Sequence, residues 1–214
     1  MFLIDHVSKA YGSNPVLINA TLEVVEGQLS VISGRNGTGK TTLLKIAATL
    51  LSPDSGSVIM LDQNGVQFSD QKRLRQRLSY LSHSTFLYDD LTVCENLRLF
   101  SNLMQIESEQ PIWINLLERF GITNYLDTKV KELSHGTKKK VSLCRNLMKP
   151  CTIMLWDEPD SGLDDLSIGT LGELAMEQTQ QGKSILLTSH NRSFIESIPC
   201  IEYELLDGSL IQKV

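Results

Sequence analysis

A chain of 214 residues, 41% hydrophobic and 21% charged, is long enough for one sizeable core with room for an inserted subdomain, and its composition excludes a disordered protein. The net charge of -5 argues against nucleic acid as the main partner. No apolar stretch approaches the roughly 18 residues that span a bilayer, and the opening MFLIDHVSKAYG lacks both the basic start and the cleavage site of a signal peptide.

The first 30 residues alternate in short strand-like runs, FLIDHVSKAYG and VLINATLEVV, with Glu26-Gly27 as a turn signal, and predict a small β region. QLSVIS then predicts a buried strand and TTLLKIAATLL a helix. Between them, residues 34 to 42 read GRNGTGKTT and fit the phosphate-binding pattern G-x-x-x-x-G-K-[ST], with Gly34, Gly39, Lys40 and Thr41 at the fixed positions. Glycines let the backbone run close to a polyphosphate, so successive N–H groups point inward and the following helix aims its positive end at the same place. The whole loop, Gly34, Arg35, Asn36, Gly37, Thr38, Gly39, Lys40, Thr41 and Thr42, is the candidate nucleotide-binding segment. Lys40 would sit near the β- and γ-phosphates, and Thr41 would place a hydroxyl on Mg²⁺.

SGSVIML (55 to 61) and RLSYLS (77 to 82) predict two further strands. The middle changes character: TVCENLRLFSNLM and PIWINLLERFG space their apolar residues as helices, the first capped at Asp90-Leu91-Thr92 and the second opened by Pro111. LSHGT then precedes the helical run KKKVSLCRNLM, so Ser134 and Gly136 read either as a second anion-binding helix terminus or as a plain N-cap. The lysines 138 to 140 are the one basic cluster and read as a solvated helix face.

TIMLWDEP is a near-continuous apolar run, as expected of a parallel strand covered on both faces. Ligands of open α/β sheets bind at the carboxyl ends of strands, which places Asp157 to hold Mg²⁺ and Glu158 to polarise an attacking water. Two adjacent carboxylates also suit a simple turn; beside a phosphate loop the catalytic reading prevails. A helix from about 165 to 181 and a strand SILLTSH (184 to 190) follow, and His190 at its end reads as structural or as an orienter of water, Glu158 and phosphate. IEYELLDGSLIQKV predicts a hairpin turning at Asp207-Gly208. Cys94, Cys144, Cys151 and Cys200 form no C-x-x-C pair, so reduced thiols in a cytosolic protein are expected, without zinc or a redox dithiol.

Over essentially its whole length the chain resembles the ATP-binding subunits of ABC transporters. Six ordered elements carry the resemblance. Tyr11 matches the aromatic that stacks on adenine, GRNGTGKTT the Walker A motif, and LSHGT the signature usually written LSGGQ. IMLWDEP matches Walker B with the catalytic glutamate, Ser161-Gly162-Leu163-Asp164 the D-loop, and His190 the switch histidine. The first motif is shared by many NTPases; six in order and spacing are specific.

The resemblance implies an α/β P-loop NTPase fold: a RecA-like core with a mainly parallel sheet, an N-terminal antiparallel β subdomain and an inserted helical subdomain. It implies one domain over residues 1–214, with 1–83 and 149–214 as the nucleotide-binding core and about 84–148 as the helical insertion. It implies ATP and Mg²⁺ as ligands and a head-to-tail pairing with a second copy or a homologous ATPase. In that pairing Ser134, His135, Gly136 and Thr137 of one copy face the ATP held by the other. It further implies integral membrane transporter subunits as partners, and a cytoplasmic, peripheral place on the inner face of the inner or plasma membrane. A soluble ABC ATPase of repair or translation fits less well, since only about 110 residues separate Lys40 from Walker B and one such domain is present.

Two departures stand out. The signature carries His135 and Thr137 where the family has glycine and glutamine, which predicts ATP sandwiching with an altered hydrolysis rate or coupling. His83 stands where the family's Q-loop glutamine would touch Mg²⁺ or the attacking water. That histidine, followed by an LT-x-x-ENL run in a short chain, resembles the heme exporter ATPase of cytochrome c maturation, although the signature and SGLD forms differ from it; export of another small molecule, ion or lipid is the alternative.

Overall fold

Apolar residues alternate along the first two strands because one face packs inward: Phe2, Ile4 and Val7 on the first, Leu17, Ala20, Leu22 and Val24 on the second are all buried. The computed structural model describes residues 1–61, 65–106 and 111–213. Residues 107–110 of the expected helical insertion and Val214 at the end of the tail hairpin lie outside the described residues. In chain order the elements are β1 (Phe2–Tyr11), β2 (Asn14–Val24), β3 (Leu29–Ser33), α1 (Lys40–Ala47), β4 (Ser55–Leu61), β5 (Gln67–Phe68), α2 (Gln71–Arg77) and β6 (Leu78–Leu81). They continue with α3 (Val93–Leu103), α4 (Trp113–Arg119), α5 (His135–Met148), β7 (Ile153–Asp157), α6 (Asp165–Gln180), β8 (Ser184–Thr188), α7 (Arg192–Ser197), β9 (Ile201–Leu206) and β10 (Ser209–Gln212).

Two sheets result. β2-β1-β4-β5 is antiparallel, and β10-β9-β3-β8-β7-β6 is parallel except for its edge strand β10. β3, β7 and β8 are buried at every position, the pattern of strands covered on both faces. Along β7 the side chains divide by the period of two. Ile153 and Leu155 join α1 and the antiparallel sheet in one core, while Met154 and Trp156 join α3, α4, α5 and α6 in the other. Trp156 is fixed by its indole N–H, which donates to the Asn146 side chain of α5 at 2.7 Å.

The fold is therefore the α/β P-loop arrangement that the sequence predicts. The two strand-like runs at the N-terminus form one long hairpin, β1 with β2. Register shifts between Ile4 and Ala10, with positive φ at His6 and Asn19, let the pair bend without ending. α2 and α7 are additional helices. Each is a segment of about two turns, capped by Asp70 accepting from Arg73 N at 2.9 Å and by Asn191 accepting from Phe194 N at 3.2 Å, too short to leave an apolar period to read. Before α3, the segment 88–92 is cross-tied by buried Asn96, whose side chain bonds the Tyr88 N–H and the Tyr88, Leu91 and Thr92 carbonyls.

Candidate nucleotide site

The loop between β3 and α1 is built around its glycines. Gly39 caps α1 at φ 107°, and a Cβ there would lie 2.6 Å from Val16 Cγ1 of β2, so the position excludes any other residue. Lys40, at the first turn of α1, is 6% exposed and donates to the Gly34 and Arg35 carbonyls at 2.8 and 2.9 Å. Burial lowers its pKa, opposed by the nearby Glu158 and Asp157 carboxylates. Arg35 O also accepts from Thr38 Oγ1 at 2.9 Å, which closes the loop on itself. A cleft of about 440 Å³ opens over this loop, lined by Tyr11, Val16, Asn36, Gly37, Gly39, Lys40, Thr41, Thr42 and Glu158. Tyr11, from the end of β1, is 53% exposed at its rim, a free aromatic face beside the loop.

The strand ends bring the carboxylates to the same cleft. Asp157 is 2% exposed; Thr41 Oγ1 lies 3.1 and 2.9 Å from its two oxygens, and Thr188 Oγ1 donates to Oδ1 at 2.9 Å. Glu158 follows at φ 46°, a left-handed conformation uncommon for a side-chain-bearing residue, and its N–H donates to Thr188 Oγ1 at 3.0 Å. That turn swings the Glu158 carboxylate toward His190, whose Nδ1 is 3.4 Å from Oε1. Thr188 thus bridges Asp157 and Glu158, a role the sequence reading did not assign; its only signal was a hydroxyl at the end of an apolar strand. Neighbouring Asp160 is 6% exposed. Its Oδ2 accepts from Ser189 Oγ at 3.0 Å, its Oδ1 has no hydrogen-bond partner among the described residues, and burial raises its pKa.

LSHGT forms the N-terminus of α5. Ser134 is the N-cap, accepting from Thr137 N at 3.2 Å, and its Oγ lies 2.9 Å from Thr137 Oγ1. This turn packs on the D-loop of its own chain. A Cβ added at Gly136 would sit 2.8 Å from the Gly162 carbonyl, and one at Gly162, at φ 78°, would sit 2.9 Å from His135 Nδ1. Asp164 caps α6 through Ser167 N at 2.9 Å and pairs with Lys140 at 2.8 Å, contacts that hold its carboxyl below the usual range. Ser161 and Leu163 complete that loop by donating backbone N–H groups to Glu158 and Asp160 carbonyls at 3.3 and 3.2 Å.

One expectation changes here. The lysine run is not a solvated face: Lys138 pairs with Asp89 at 3.2 Å, Lys140 with Asp164, and Lys139 is 1% exposed. Consecutive helical residues point in directions roughly 100° apart, so three lysines in a row cannot share one face. His83 lies two residues beyond β6, exposed, and forms no hydrogen bond or ion pair among the described residues; the structure does not join it to Thr41 and Asp157.

Hydroxyl and carboxylate oxygens side by side, with no cluster of three His, Cys, Asp or Glu among the described residues, suit a hard cation that keeps waters and shares a phosphate. No helix is long and apolar enough to cross a membrane among the described residues.

The sequence model of the ABC transporter family matches residues 17–161. The chain is 33% identical over 177 residues to the cytochrome c biogenesis ATP-binding export protein CcmA of Vibrio cholerae, covering 83% of this chain and 84% of that one. It is 28% identical over 211 residues to the lantibiotic transport ATP-binding protein SrtF of Streptococcus pyogenes, covering 99% and 89%. A solved ATP-binding subunit of an ABC transporter superposes with a TM-score of 0.88 at 27% identity, covering 100% of this chain and 90% of that one.

Proposed function

The chain belongs to the ABC transporter family of ATP-binding subunits, and from that premise we propose that it hydrolyses ATP in a paired site to drive transport through separate membrane subunits. The observation that carries this reading is one strand-end constellation: Thr41 Oγ1 at 2.9 Å from Asp157, and Glu158 at 3.4 Å from His190, beside the loop of Lys40. The N–H groups of residues 34–42 and the Lys40 ammonium hold the phosphates, with Tyr11 against the adenine. Lys40 exchanges its carbonyl acceptors for phosphate oxygens. Thr41 and Asp157 would hold Mg²⁺, which supplies charge neutralisation across the phosphates. Glu158, held by Thr188 and turned toward His190, accepts a proton from the attacking water, and His190 orients that water and the γ-phosphate.

Ser134, His135, Gly136 and Thr137 present an N-terminus with no base of its own. This supports a head-to-tail pair in which they face the γ-phosphate of a second copy or a homologue, next to Ser161 to Asp164 at the joint. The helical insertion, about 84–148, is then the segment that passes the closing motion to a membrane partner, and the chain works peripherally on the cytoplasmic face. The core, 1–83 with 149–214, carries the nucleotide. A narrower reading, export of heme for cytochrome c biogenesis, rests on the similarity to CcmA and on His83 at the Q-loop position. The similarity to a lantibiotic transport protein supports another exported substrate instead.

Phosphate release by the purified chain, compared with Glu158→Gln, tests the function. Equal rates in the two would sink it. Recovery of the tagged chain from membranes, with the co-purifying membrane subunits identified, decides between heme and another cargo.

A further inference from the structure

Lys139 has no place in the chemistry above, yet it is among the largest fully buried side chains of the protein. It forms no hydrogen bond and no ion pair among the described residues. A buried carboxylate oxygen without a partner is costly. The same part of the molecule holds one: Asp160 Oδ1 is buried and has no hydrogen-bond partner among the described residues.

The contacts on either side place Lys139 against the Asp160 loop. Gly136, three residues earlier, approaches Gly162 so closely that a Cβ would lie 2.8 Å from its carbonyl. Lys140, the next residue, bonds Asp164 at 2.8 Å. Asp157, Asp160 and Glu158 are the carboxylates whose charge reaches the Lys139 ammonium. Asp160 in turn bonds Ser189 at 3.0 Å, and Ser189 adjoins His190, which faces Glu158.

We propose that Lys139 is a positioning residue: its ammonium pairs with the free Oδ1 of Asp160 when nucleotide closes the site, tying the helix that starts at Ser134 to the loop bearing Glu158 and His190. The pair gives the orphaned Asp160 oxygen a charged partner. It therefore favours the arrangement in which the signature turn and the hydrolytic residues of the same chain are locked together. Signature engagement by one ATP is thereby felt at the Glu158 of the other. This inference rests on the hydrolytic reading given above.

The test is a double-mutant cycle on steady-state ATP hydrolysis with Lys139→Gln, Asp160→Asn and the double variant, alongside Lys139→Arg. Each single change is expected to lower kcat by about 10-fold with KM unchanged, and the double variant to be no slower than either single. Lys139→Arg restores part of the rate. In a Glu158→Gln background, ATP-dependent dimerisation persists in all of them, a result a general loss of structure does not give. Losses that multiply in the double variant, or unchanged kcat in either single, overturn the inference. Should Lys139→Gln fail to fold, Asp160→Asn alone decides, since it keeps the shape and removes only the charge; wild-type kcat there overturns it. A wild-type chain that does not hydrolyse ATP sinks the functional reading and this inference together. Hydrolysis by wild type beside unchanged variants sinks this inference alone.

Discussion

The helices α1 and α5 both open on a glycine-bearing turn, and they differ in what surrounds it. At α1 the N-terminus is joined in the same chain by a buried lysine, a hydroxyl, two strand-end carboxylates and a histidine. At α5 the N-terminus offers only a serine cap, a glycine and two uncommon residues, packed on the D-loop of its own chain. One end gathers every group that the proposed hydrolysis uses; the other has donors without a base. Two ends so unequal make sense when each serves a different ATP.

The sharpest way to break this comparison is at the α1 end. Glu158→Gln is expected to lower phosphate release by about 10³-fold while ATP binding, followed by equilibrium titration, stays within a few-fold of wild type. His190→Ala is expected to cost about 10²-fold in kcat, measured the same way. Changes at the α5 end should spare ATP binding by the isolated chain and act on pairing. Ser134→Ala is expected to weaken ATP-dependent dimerisation in the Glu158→Gln background and to cost about 1 kcal/mol of stability in denaturant unfolding through the lost cap. His135→Gly and Thr137→Gln are expected to shift kcat by only a few-fold, because Ser134 and Gly136 remain; a rate unchanged by both would show that the departures from the usual signature carry no weight.

The smallest effect is on pH. Lys140 and Ser167 hold Asp164 below its unfolded value of 3.8, so its contribution is present above that value and is lost as pH falls through the lower folded one. Asp164→Asn keeps a cap and has no charge to lose. Its melting temperature should therefore fall less than that of the wild type below about pH 4.

The strands that carry the site were legible in the sequence because near-continuous apolar runs such as IMLW bury on both faces. GRNGTGKTT was legible because phosphate geometry fixes its glycines. Three features were not. Glu158 takes a left-handed conformation that no propensity favours, since the surrounding Thr188 and His190 contacts outweigh the local strain. Thr188 works through a hydroxyl that a strand pattern counts only as polar. Lys139 was hidden by its neighbours: a triple lysine reads as surface, and only the direction of each side chain around α5 separates the buried one from the two that reach Asp89 and Asp164.

The two hydrogen bonds from Lys40 to the carbonyls of its own loop bear on the entropy of capture. A lysine free to wander gives up roughly 2 kcal/mol of rotamer freedom when a ligand pins it, whereas one already tethered has surrendered that freedom during folding. Nucleotide arrival at this loop is then a trade of acceptors at constant order, and departure returns the ammonium to carbonyls lying in wait. Such a loop can fill and empty many times without being rebuilt, which is what a machine that cycles requires.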